Sequence, residues 1–132
     1  KATDVWSAIG AQVLRMTPEN HDAAFAAVSH LPHLLAFAYF SSIANQPPGR
    51  DFLSLAGPGF RDFTRIAGSS PEMWRDISLA NRESLLSEIC AYQAELVKLK
   101  NLLENQDGAG LLALFERASQ ARNDWVNAQK LR

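Results

Sequence analysis

Ser29-His30-Leu31-Pro32-His33 lies inside a stretch, Ala23 to Gly49, that contains no Lys, Arg, Asp or Glu. An uncharged, alanine-rich run of this length reads as helix buried within protein. Pro32 lacks a backbone donor, so it predicts a kink or break at Leu31, giving a central helix pair. Two imidazoles in that setting are costly to bury without partners. They require either internal hydrogen bonds or a ligand. The stretch exceeds the roughly 20 residues that cross a bilayer. Its serines, Pro32 and its two histidines argue against that use, and no membrane partner is expected.

Upstream, Thr17-Pro18-Glu19 is a helix start, with a capping hydroxyl, a proline in the first turn and an acid beside it. Before it, residues 2–9 form a helix by pattern, Gly10 closes it, and Gln12-Val13-Leu14-Arg15-Met16 reads as a short strand. A lone strand has no partner in a helical chain. It predicts that residues 1–16 are the last helix and strand of a preceding domain, and that the helical domain is 17–132.

Downstream, Gln46-Pro47-Pro48-Gly49 is a loop and Gly57-Pro58-Gly59 a second break. Phe60 to Ala67 is a short helix closed by Gly68. Ser70-Pro71-Glu72 repeats the helix-start signature. From there one long helix is expected over about 71–105, with Ile77, Leu85, Leu86, Ile89, Tyr92, Leu96, Leu99 and Leu103 along its seam. Asp107-Gly108-Ala109-Gly110 ends it. A last helix carries Leu111, Leu114, Phe115, Ala118 and Trp125. The prediction is an all-α fold of about six helices. The long seam exceeds what the other helices can cover, which predicts a homodimer.

The chain has 132 residues and a formal net charge of -1, so it is one domain by size, without the basic field that nucleic acid requires. Cys90 is its single cysteine, which excludes an internal disulfide and suits a reducing, cytoplasmic setting. No Gly-x-Ser-x-Gly elbow or phosphate-cradling glycine loop is present, and Pro58 removes a donor where such a loop would need one.

The polar groups admit several readings. His30 and His33, three apart, could begin a metal site with His21-Asp22, but the spacing matches no metal signature and no metal is expected. They could be core histidines capping the helix ends that Pro32 frees. They could also line a ligand site at the kink. Arg65, among Phe60, Phe63 and Ile66, needs a carboxylate or phosphate if buried. That partner is either Asp62, three residues earlier, or a substrate carboxylate. Trp74 reads as core by residue type.

Several motifs in order, Gly10-Ala11, His21-Asp22, Val28 to His33, Gly59 to Ala67 and Ser70 to Ile77, make the chain resemble the prephenate dehydrogenase family, with its arogenate and cyclohexadienyl dehydrogenases. The resemblance covers residues 10–82. It implies a helical dimerisation domain, like the C-terminal domain of 6-phosphogluconate dehydrogenase, behind a Rossmann domain that binds NAD or NADP. The substrate it implies is prephenate or arogenate, with tyrosine as an inhibitor. It implies Arg65 as the substrate-binding arginine, His33 and His30 as pocket histidines, and Asp62 and Trp74 beside them. The catalytic histidine and the cofactor motif would lie outside this chain, which alone is expected to be inactive and free of cofactor. The competing reading is a non-catalytic helical interaction module. Arg65 sealed in the core against Asp62 would favour that reading, whereas Arg65 and His33 on one cleft would favour the enzyme.

Overall fold

The computed structural model describes residues 2–130. Among these the elements are α1 (Ala2–Ala8), α2 (Pro18–Phe25), a π-helical turn (Ala26–His30), α3 (Leu31–Ala44), α4 (Gly49–Ser54) and α5 (Pro58–Thr64). A 3-10 turn (Arg65–Gly68), α6 (Pro71–Ala80), α7 (Arg82–Glu104) and α8 (Gly108–Lys130) complete them. The fold is all-helical, as expected. The chain divides into two units, residues 1–89 and 90–132.

The helix starts follow the local chemistry. Thr17 Oγ1 accepts from Asn20 N at 3.2 Å and Ser70 Oγ from Met73 N at 3.3 Å, each opening a helix with proline in its first turn. Gly10, at φ 86°, turns the chain after α1.

Residues 11–17 do not form the expected strand at 12–16. A strand stabilises its backbone groups only through a neighbour, and no second strand occurs among the described residues. The segment is tied instead to α1, by Arg15 Nη2 donating to Thr3 Oγ1 at 2.9 Å.

Pro32 neither breaks nor ends the helix. Pro18–Ala44 is continuous, and by length and composition it could cross a membrane. The turn before Pro32 widens, with Leu31 N–H bonding to Ala26 O, five residues back. A proline removes one donor and crowds the carbonyl four residues earlier, and a π turn absorbs both. Ala26 and Leu31 then form the core with Leu85, flanked by Leu34, Leu35 and Ile89.

The single long helix expected over 71–105 is two helices. Asn81, at φ -109° and ψ 35°, closes α6, and its carbonyl receives Leu85 N–H at 3.1 Å in the first turn of α7. The break fails to show in the apolar pattern because the seam residues resume in register beyond it. In the second unit, Asp107 Oδ1 accepts from Gly110 N at 2.8 Å, so this acid caps α8. Gly110 lies against the Leu102 and Asp107 side chains, leaving no room for a Cβ. None of the described residues of α8 is buried.

Candidate functional site

The π turn and the first turn of α3 carry the two imidazoles to the same neighbour. The His33 ring stacks on the Trp74 indole, centroids 3.6 Å apart and planes 19° apart. His30 meets that indole edge-on, at 6.1 Å and 72°. Trp74, in α6, is 8% exposed, and its Nε1 has no hydrogen-bond partner among the described residues. A buried indole N–H without an acceptor is a cost that a ligand oxygen would remove.

Hydrogen bonds fix what each ring offers. His33 Nδ1 lies 2.9 Å from Ser29 O. A carbonyl only accepts, so His33 Nδ1 is the donor and the neutral ring keeps a lone pair on Nε2. His30 Nδ1 lies 3.2 Å from Asn81 Nδ2. The amide nitrogen only donates, so this Nδ1 accepts. The His30 pKa is lowered, first by burial and then by His21, with Asp22 opposing and His33 adding a smaller repulsion. His21 pairs with Asp22 at 3.1 Å on the surface and meets the Phe25 ring at 4.4 Å, tilted by 35°.

Beside the rings, α3 and α6 flank an open, mostly apolar groove of about 460 Å³. Leu34, Phe37 and Ser41 line one wall, and Pro71, Trp74 and Ser78 the other. Leu34, Phe37 and Ser41 follow His30 and His33 at helical spacing, so the ring cluster and this wall share one face of α3.

Arg65 is exposed at the start of the 3-10 turn, and that turn packs on α3. Its guanidinium has no ion pair or hydrogen bond among the described residues, and Asp62, also exposed, does not pair with it. The structure thus gathers His30, His33 and Trp74 into one cluster. It leaves Arg65 and Asp62 as free surface charges on the adjoining α5 and 3-10 turn. The sealed Arg65–Asp62 pair of the interaction-module reading is absent, and neither Arg65 nor His33 lines the groove, so the arrangement expected for the enzyme is not seen there either.

No group of three or more His, Cys, Asp or Glu is placed to hold a metal among the described residues. Gly57-Pro58-Gly59 leads into α5 with Pro58 as its first residue, so it offers no cradle of amide donors for a nucleotide phosphate. The residue that sequence reasoning missed is Asn81. Its one signal was a helix-ending residue type between Ala80 and Arg82, masked by the apolar seam.

Residues 17–117 match the family model described as prephenate dehydrogenase, dimerization domain. The cyclohexadienyl dehydrogenase of Zymomonas mobilis is 35% identical over 121 residues, which cover 90% of this chain and 41% of that protein. The prephenate dehydrogenase of Bacillus subtilis is 35% identical over 125 residues, 91% of this chain and 33% of that protein. The A. aeolicus prephenate dehydrogenase solved with hydroxyphenyl propionate and NAD+ superposes with a TM-score of 0.86 at 39% identity, covering 93% of this chain and 43% of that one. Synechocystis arogenate dehydrogenase gives a TM-score of 0.86 at 29% identity, over 94% of this chain and 46% of that one. The chain therefore spans less than half the length of these relatives.

Proposed function

The chain belongs to the prephenate dehydrogenase family, and on that footing we propose that it is the substrate-binding and dimerising part of an NAD(P)-dependent dehydrogenase of tyrosine biosynthesis. The reaction is oxidation of prephenate to 4-hydroxyphenylpyruvate. The ring carbon bearing the hydroxyl gives up hydride, the bond to the ring carboxylate breaks, and carbon dioxide leaves as the ring becomes aromatic. Accepting that hydride is the chemistry a bound nicotinamide supplies. The task left to this chain is to bind and orient a dianion.

One observation carries the reading: Arg65 keeps an unpaired guanidinium on a turn packed against α3, the helix that bears His33. In this reading Arg65 forks onto a substrate carboxylate, with Asp62 setting its approach. The Trp74 indole N–H and the His30 imidazole donate to substrate oxygens, and His33 holds the indole by stacking. Tyrosine, which carries the phenol ring of the product and a side-chain carboxylate, would compete for the same groups. Residues 1–16 are read as the end of the nucleotide-binding domain, and the family match beginning at residue 17 supports that boundary. Apolar side chains left open on α7 and α8, such as Leu103 at 59% and Trp125 at 60% exposed, support a homodimer. A reducing cytoplasm suits the lone Cys90.

Arogenate is the second substrate reading, favoured by the likeness to an arogenate dehydrogenase. It differs from prephenate in carrying an amino group in place of the side-chain ketone. The test is reduction of NAD+ and NADP+ by the full-length enzyme with each substrate. Turnover of either acid supports the assignment and chooses the substrate. A folded dimer that oxidises neither acid overturns it in favour of the interaction module.

A further inference from the structure

Asn81 spends its side chain in an unusual way for a helix-ending residue. Such an amide ordinarily bonds to its own local backbone. Here Nδ2 reaches Asp22 O, 59 positions back, at 2.8 Å, and His30 Nδ1, 51 positions back, at 3.2 Å. The residue is 8% exposed, so these bonds are sheltered from water.

The Asp22 bond fixes the orientation of the amide. A backbone carbonyl cannot donate, so the nitrogen of Asn81 and not its oxygen faces this pair. Both hydrogens of Nδ2 are then committed, one to the carbonyl and one to the ring. An NH2 group offers no lone pair to a ring N–H. His30 must therefore accept at Nδ1, and its neutral form carries the proton on Nε2. That Nε2 makes no hydrogen bond to the described residues, and unlike Trp74 Nε1 it is not cut off from solvent. It belongs to the same cluster as the unpartnered Trp74 Nε1.

We propose that Asn81 is a positioning residue that locks His30 as the Nε2–H tautomer, so that this imidazole is a standing, uncharged hydrogen-bond donor to the ligand of the site. The ligand half of this inference rests on the substrate-binding function proposed above. The lock itself rests on geometry alone. The groups that act on His30 are His21 and Asp22 from α2 and His33 from α3, while α6 presents the Trp74 ring. Burial and the two neighbouring imidazoles keep His30 neutral more than Asp22 keeps it charged. Because Nε2 bears a proton in both the neutral and the charged ring, donation to the ligand persists through the titration of His30. A site that relied on protonation for its donor would lose it near neutral pH.

Asn81→Asp reverses the lock without changing size. A carboxylate accepts from the ring, which draws the proton of neutral His30 to Nδ1 and turns the Nε2 lone pair towards the ligand. It also raises the His30 pKa, since an opposite charge within reach favours imidazolium. Binding should then weaken as pH rises through that pKa.

The experiment uses the full-length enzyme. KM and kcat for prephenate are followed across pH in wild type and Asn81→Asp, alongside the melting midpoint. Histidine-specific 15N NMR of the wild-type enzyme, with His30 assigned by its loss in His30→Gln, reads the tautomer directly. Expected are a wild-type His30 protonated at Nε2 and bare at Nδ1, and an Asn81→Asp enzyme that is normal on the acid side. On the alkaline side its KM should rise about tenfold, the scale of one donor exchanged for a facing lone pair. A wild-type His30 protonated at Nδ1 overturns the proposal, as does a folded Asn81→Asp enzyme with the wild-type pH profile. If Asn81→Asp does not fold, the wild-type tautomer decides. Wild-type enzyme inactive on both prephenate and arogenate overturns the proposed function and the ligand role of His30, while the NMR still reports on the lock.

Discussion

The ring cluster includes His33 of α3, the arginine turn packs on that same helix, and the two are built in opposite ways. His30 and His33 are half-buried and tied to Asn81 and to a backbone carbonyl, and Trp74 is buried against both rings. Arg65 and Asp62 are exposed and unpaired with each other. The rings contribute to folding whether or not a ligand is bound. The guanidinium makes no ion pair or hydrogen bond among the described residues, so the fold does not depend on it. In the proposed site the first region is a wall and the second an anchor. The difference lets stability and binding be separated by mutation.

Trp74→Ala should show the largest effect, because it strikes both roles of the wall. Removing a buried indole costs about 3–5 kcal/mol, so the melting temperature of the full-length enzyme should fall together with a rise in KM. A changed KM with an unchanged melting point would mean that Trp74 is not part of the core. Arg65→Ala should cost about 1.5–3 kcal/mol of substrate binding, the worth of a charge-assisted bond, and leave the melting point where it was. Kinetics indistinguishable from wild type would remove Arg65 from the site and dissolve the contrast.

The smallest effect expected is on pH dependence. The His30 pKa is depressed in the folded state below its ordinary 6.5, chiefly by burial. The unfolded chain then binds the proton more readily than the folded one. Stability is complete above that value and declines as pH falls below it. The difference in melting temperature between wild type and His30→Gln should therefore be constant above that value and narrow on the acid side, where only wild type loses stability. Parallel curves there would show that the ring pays no desolvation penalty.

The wall was partly legible in the sequence. Two histidines three apart beside a proline, and a tryptophan in a capped helix start, were visible as candidates, but their clustering and their bonds were not. Arg65 was legible as a cation in apolar company. That company suggested burial, whereas the short 3-10 turn places the guanidinium in solvent. Asn81 was not legible, because its partners are more than fifty positions away and residue order carries no sign of them.

The sequence by itself determined the helical class, the caps at Thr17 and Ser70, the turn at Gly10 and the candidate side chains. These depend on neighbours within a turn or two of chain, where local sterics and hydrogen bonding dominate. Only the tertiary structure decided that Pro32 would widen its helix and not end it, that residues 11–17 would find no strand partner, and that α6 and α7 would part at Asn81. Each of these outcomes turns on whether a backbone or side-chain group finds a partner far along the chain, and that is settled only when the helices pack.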